Sequence, residues 1–505
     1  MKLKSIFYIL FVFSLTIGIT GFCASMGVDA HHDGILLKPA IDMLHGKMLF
    51  RDTFTQYGAL TSIVQALALH YFGEYLIVIK YLTVAFYGIT SIFLWIFWRK
   101  FLSPILTTLS VVIWIMLFNF YNKTDIFLPW SFVYSLSLQT IALYLFILWI
   151  QYKKHWLVGL SGVCAALAFW FRQTTGVYFF AAVIVFWIIT KLKKRSLPSI
   201  IPFYFGFFFI HVVFFTWLIL NNSFGDWWLM SISFANSWQK AVATQYRFPI
   251  FQISKLLPLS ESALSIWVLF PAVVLYQGYN LYKRKMIQVK DQQLFATAII
   301  CLFSWLQYYP MSDPGHASWA ATPMIGFYIY FAWNNKYKRK KHFVVFFLLI
   351  LLLVPDMFNR MKNAKHKFLA SYITFTDDTV LKGMKETKEN YQYFQAIAKS
   401  IRAYEKKDPN TFVVELSTDA LYPLFGTNNR NCSRFTVDWL WEVFDKNIEK
   451  EYTVTTMACV KKYKPLVVTD ADHYNPPNYN RLTARPTTSC IDINHKSYLM
   501  APTSQ

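Results

Sequence analysis

Long apolar runs broken by short basic clusters constrain this chain more than any other feature. Runs such as Ile6–Ser25, Tyr75–Trp98 and Ile200–Leu220 match the roughly 20 apolar residues a helix needs to cross a bilayer. Between the runs lie Lys2 and Lys4, Arg99 and Lys100, Lys153 and Lys154, Lys191–Arg195, Lys283–Lys285 and Lys336–Lys341. Charged residues make up only 15% of the chain, against about 25% for a soluble domain. The net charge of +22 is therefore read as topology, with the basic clusters on the cytoplasmic side. No soluble basic face or motif is present, so nucleic acid is excluded as a partner. The sequence predicts an α-helical polytopic membrane protein.

About eleven spans are expected. They lie near 6–25, 75–98, 104–120, 128–149, 156–171, 175–190, 200–220, 263–282, 294–309, 318–333 and 343–354, and a shorter helix over Leu60–Phe72 lies along the interface. The first run is long enough to be an uncleaved span and not a signal peptide. Alternating the spans from a cytoplasmic N-terminus puts every basic cluster inside. Outside lie the loop 27–59, the turn Asn122–Asp125, Arg172, the segment Asn221–Ser260, the break Tyr308–Trp319 and the tail. The domain division expected is 1–355 for the membrane module and 356–505 for a small extracytoplasmic α/β domain. In the tail, Glu386–Lys407 has helical apolar spacing, a turn-helix covers Thr418–Phe425, and Thr411–Leu416, Leu466–Thr469 and Ser489–Ile493 read as strands. Cys432, Cys459 and Cys490 lie in this tail, so one pair can form a disulfide in an oxidising compartment.

The first loop reads DAHHDGILLKPAIDMLHGKMLFRDTFTQYG from Asp29 to Gly58. Ionisable groups beside a membrane are costly and commonly functional. Asp29 and Asp33 are the candidate general bases, with Asp33 preferred; His32 can do the same work or hold a phosphate. A surface loop capped and solvated by its own polar groups is the bland alternative. Arg51, beside Asp52, can grip a phosphate bidentately. Arg172 in FWFRQTTG sits between two apolar runs, where it needs a partner or a phosphate. Asp313 and His316 lie in the Pro/Gly-rich break YYPMSDPGHASWAATP, which must line a cavity or be covered by protein. Trp227, Trp228 and Trp238 read more readily as an aromatic belt than as sugar-stacking residues. No nucleotide-binding glycine fingerprint is present, no cofactor is called for, and a divalent-metal site of His and Asp has only weak support because the spacing is not fixed.

The order of an N-terminal span, an acidic outer loop with Gly46, Arg51-Asp52 and Tyr57-Gly58, many spans, the Arg172 turn, Asp313 with His316 before Pro323, and a tail containing TFVVELSTDALYPLFG and Ser433–Phe435 resembles the GT-C superfamily of glycosyltransferases. It is most similar to bacterial members related to protein O-mannosyltransferases and the lipid A aminoarabinose transferase. The resemblance implies an enzyme of the bacterial inner membrane. It would move a sugar from a polyprenyl-phosphate donor to a lipid, glycan or protein acceptor, usually with inversion. It implies Asp33 or Asp29 as base and Arg172, Arg51 and His316 at the donor phosphate. The Asp-Glu pair of protein O-mannosyltransferases is replaced here by His31-His32-Asp33. The alternatives are a transporter or flippase of lipid-linked glycans and a glycan polymerase or ligase. A transporter calls for repeat symmetry and mid-membrane ionisable groups, whereas the polar groups here gather on one face.

Overall fold

The computed structural model describes residues 3–120, 126–195, 197–237, 265–284, 288–308, 314–333, 357–377, 379–410, 412–416, 422–426, 431–434, 446–463, 465–470, 479–488 and 494–502. The apolar runs form helices where expected: α1 (Leu3–Ala24), then α2 (His32–Leu44) and α3 (Ala59–Phe72) in and after the first loop, α4 (Leu76–Trp98), α5 (Pro104–Phe118), α6 (Ser131–Tyr152), α7 (His155–Phe171), α8 (Gln173–Leu192) and α9 (Ile201–Leu220). The short α10 (Phe224–Trp228) follows, continued by π-helix over Leu229–Ser233. Then come α11 (Ser265–Lys283), α12 (Val289–Trp305), α13 (Pro314–Ala321) and α14 (Ile325–Trp333).

Five of the described helices, α1, α4, α6, α8 and α9, are long and apolar enough to cross a membrane. The apolar helices α3, α5 and α7 are shorter than these five, whereas the sequence expects only α3 to be short and α5 and α7 to be spans. The run 318–333 is not one continuous helix: 3₁₀ backbone over Thr322–Met324, with Pro323 inside it, separates α13 from α14. The expected span 343–354 and the turn Asn122–Asp125 fall outside the described residues.

Packing follows the sequence order closely. α1 lies on α4, α4 on α6, α6 on α7, and α7 on both α8 and α9. Gly162 and Gly206 let α7 and α9 approach closely, because a Cβ at either would collide with the facing backbone. Several polar groups inside this bundle bond one another. Thr83 Oγ1 and the Tyr134 hydroxyl are 2.6 Å apart. Gln65 Nε2 donates to Tyr134 Oη at 3.2 Å and to Pro129 O at 3.0 Å, which fixes the start of α6.

The tail adds a helix over 357–369, a two-residue hairpin of β1 (Ile373–Thr374) and β2 (Lys385–Glu386), and α16 (Lys388–Lys407), taking 357–369 as α15. A four-stranded sheet follows, built from β3 (Val413–Leu416), β4 (Leu466–Asp470), β5 (Tyr479–Thr488) and β6 (Asn494–Pro502) in the order β3-β4-β6-β5. Strands β3 and β4 are parallel; the other pairs are antiparallel. The short α17 (Tyr422–Phe425) and α18 (Lys446–Tyr463) lie between β3 and β4. Of the expected strands, Ser489–Ile493 falls outside the described residues, and the strands β5 and β6 flank it on either side. Cys432 and Cys459 form a disulfide, with Cα atoms 5.6 Å apart; Cys490 is not among the described residues.

The tail does not keep its apolar core to itself. Phe394, Ile397 and Ile401 on one face of α16 share a cluster with Leu37, Ala40 and Ile41 of α2 and with Leu69, Leu76 and Ile79. The first loop is thus packed between the bundle and the tail. Backbone bonds stitch the same seam: Gly27 N donates to Lys385 O at 2.8 Å and Lys385 N to Ser25 O at 2.7 Å. Arg434 ties the second half of the loop. It donates to Phe50 O at 2.8 Å and pairs with Asp226 and Glu451, each at 2.7 Å.

Candidate active site

The first loop builds its own helix start. Asp29 Oδ1 accepts from His32 N at 2.8 Å, and Asp29 N donates back to Asp33 Oδ2 at 2.9 Å. This reciprocal capping satisfies donors that the first turn of α2 would otherwise leave open. It also aims the two carboxylates differently. Asp29 keeps some exposure, and its Oδ2 lies 3.0 Å from His32 Nδ1. Asp33 is fully buried beneath it, 2.8 Å from Lys80 Nζ of α4, which is also fully buried. Lys80 donates in addition to Gly27 O at 3.1 Å.

The two acids have opposite electrostatics. Burial pushes Asp29 up, but the charge and hydrogen bond of His32 and the charge of His31 together hold its carboxyl well below the usual range. Burial pushes Asp33 up to about 6 from 3.8, against the pull of Lys80 and with the Asp29 charge adding to the rise. One Asp33 oxygen, Oδ1, has no hydrogen-bond partner among the described residues. Because the folded value exceeds the unfolded one, Asp33 contributes stability that is complete below about pH 4 and is lost as pH rises through about 6. The purified protein should therefore melt at a higher temperature at pH 5 than at pH 7, and Asp33→Asn should shrink that difference. An unchanged difference in the variant would show that other groups cause it.

A row of aromatic rings carries the site onward. The His32 ring packs 5.4 Å from Trp130, at the start of α6. Trp130 lies 5.9 Å from His316 and 4.7 Å from Trp319, both on α13. Trp319 stacks on Phe132 at 3.7 Å, and the Arg172 guanidinium sits over its ring at 5.6 Å. Arg172 and His316 then line one small cavity with Ser135, Gln139, Gln307 and Trp319. Gln139 is buried, and its amide nitrogen has no partner among the described residues. Thr175 Oγ1 donates to Gln307 Oε1 at 2.7 Å on the wall of this cavity.

Gly58 brings the end of the first loop to the same corner. Its N–H donates to Phe171 O at 3.2 Å, and a Cβ there would strike the Trp170 carbonyl. Burial raises the Tyr57 hydroxyl's pKa, opposed by a hydrogen bond with Gln56 and by the nearby Arg172 charge.

Arg51 and Asp52, also expected at the phosphate, are engaged with each other. Arg51 grips its neighbour Asp52 through two bonds of 2.9 and 2.8 Å and donates to Asn221 O at 3.1 Å. Its fork is thus already committed to protein. Asp313 lies outside the described residues. Trp227 is buried against Trp170 and Phe215, a packing role and not a sugar platform. Among the described residues no group of three or more His, Cys, Asp or Glu could hold a metal ion.

No protein-family model matches the chain, and no curated protein does. Solved structures do. ArnT from Cupriavidus metallidurans, crystallised with undecaprenyl phosphate, superposes with a TM-score of 0.52 at 11% identity over 97% of each chain. The archaeal oligosaccharyltransferase AglB from Archaeoglobus fulgidus, solved with an inhibitory peptide and a dolichol-phosphate, gives 0.50 at 10% identity, covering 93% of this chain and 70% of its own. The chain has the GT-C fold.

Within the GT-C fold, Asp29, His32, Arg172 and His316 form one continuous strip of contacts. Sequence reasoning passed over Lys80, Trp130, Gln139 and Trp319. Lys80 carried a signal: it is the one cation inside the apolar run of α4, where a charge demands a partner. Trp130 carried none that separates it from an ordinary interfacial tryptophan.

Proposed function

We propose that this chain is a membrane glycosyltransferase that moves a sugar from a polyprenyl-phosphate donor to a hydroxyl or amine acceptor on the extracytoplasmic face. The observation that carries this reading is the Asp29–His32 pair, joined through Trp130 to the cavity of Arg172 and His316. The polyprenyl phosphates bound to ArnT and AglB support the donor class. The Cys432–Cys459 disulfide supports an oxidising compartment for the tail.

The proposed chemistry is a single displacement. His32 Nδ1–H donates to Asp29, which orients the ring and favours the tautomer whose Nε2 can take the acceptor's proton. The acceptor atom then attacks the anomeric carbon, the bond from that carbon to the phosphate oxygen breaks, and the configuration inverts. The leaving phosphate gains charge, which Arg172, His316 and the Gln139 amide are suited to hold. The Trp130 indole between the two ends suits a sugar face. Asp29 itself is held too acidic to be an efficient base, and Asp33 is too buried to meet an acceptor; their roles are to orient His32 and to support Asp29.

Arg172→Gln should raise the KM for the lipid donor about 10- to 100-fold, the value of a charge-assisted hydrogen bond, with little change in acceptor KM. Initial rates at varied donor concentration measure this. An unchanged donor KM would remove Arg172 from the phosphate site.

A further inference from the structure

A second cavity, of about 250 Å³, lies among α5, α11, α12 and α14. It sits at the far end of the bundle from Asp29. α4 begins beside the first loop, where Lys80 meets Asp33, and runs to Trp98; the cavity opens at Phe101–Leu106, immediately after it. A helix of this length spans about 34 Å, roughly one hydrocarbon core.

The cavity has two kinds of lining. Leu106, Leu281, Leu294 and Phe327 supply apolar lining, and Gln277, Arg284 and Lys290 supply donors. Gln277 is 2% exposed, and its Nε2 has no hydrogen-bond partner among the described residues. A buried amide donor left open is costly and points to a ligand. The N-terminus of α12 adds to this: Gln288, Lys290 and Asp291 line the cavity, and the N-cap Gln288 gives no side-chain capping bond. Open helix N–H groups and cations together favour an anion, phosphate above all. Asp291 is the one acidic group in the lining.

We propose that this cavity binds the phosphate of an anionic glycerophospholipid from the leaflet opposite the active site. The phosphate sits at Gln277, Arg284, Lys290 and the start of α12, and an acyl chain lies along Leu106, Leu281, Leu294 and Phe327. Lys193 over Tyr282 and Lys283 over Tyr279 make the same end of the bundle basic, as an anionic leaflet favours.

The test is native mass spectrometry of the detergent-purified full chain with phosphatidylglycerol, phosphatidylcholine or inorganic phosphate added. Phosphatidylglycerol should be retained in preference to phosphatidylcholine. Arg284→Gln/Lys290→Gln should lower that retention about tenfold. Gln277→Leu, which keeps the packing volume and removes the donor, should lower it as well without lowering the melting temperature measured free of lipid. Equal retention of phosphatidylcholine, retention unchanged in both variants, or displacement of phosphatidylglycerol by millimolar inorganic phosphate would overturn the proposal.

Discussion

His32→Ala should cut the turnover of sugar transfer by about 10²- to 10⁴-fold, the usual contribution of a positioned general base, while the protein still inserts and binds its lipid donor. The reason lies in the first turn of α2. Asp29 caps that turn through the His32 backbone N–H and holds the His32 ring through Nδ1, so backbone and imidazole are fixed by one carboxylate. Asp29→Asn should reduce turnover too, by weakening the ring's orientation and its preference for the tautomer protonated at Nδ1. It should do so with less loss than His32→Ala. Single-turnover rates with saturating donor separate this effect from binding. Equal turnover in His32→Ala and wild type would remove His32 as the base.

Lys80→Met should be the most destabilising single change in the site. It leaves the Asp33 carboxylate fully buried without its cation, and removing one partner of a buried pair costs about 3–5 kcal/mol. Asp33→Asn/Lys80→Met should regain most of that loss, since neither charge then remains buried. The single variant should be less impaired at pH 5, where Asp33 takes up a proton. Thermal melts of the four proteins of this cycle, at both pH values, measure the coupling. Additive effects would show that Lys80 and Asp33 do not depend on each other.

The helices were legible because apolar runs of membrane length leave few other structures to adopt. The ionisable members of the site were legible for a related reason: Asp29, His32, Arg172 and His316 each stand at the edge of an apolar run, where a charge without work is costly. Their joining was not legible, because it runs through Trp130, whose type and place fit any interfacial aromatic. The engagement of Arg51 was not legible either, since Asp52 takes its Nε and Nη2 while Nη1 reaches the distant Asn221 carbonyl. The choice between the two aspartates turned on burial: a spacing of four residues cannot tell which one α2 turns towards Lys80. In the tail, the polar strand β5 has little apolar alternation and carries Pro486; it lies at the sheet edge, where a missing N–H is tolerated.

The claim that His32 moves the acceptor's proton is tested most directly by chemical rescue. The full-length His32→Gly protein in lipid vesicles is given a polyprenyl-phosphate sugar and an acceptor, and release of polyprenyl phosphate is followed with and without added imidazole. Release should be nearly lost in the variant and should return as imidazole is added, rising with the fraction of free base. Release that stays at the wild-type level without imidazole, or that stays lost at every imidazole concentration while the donor still binds, would contradict it.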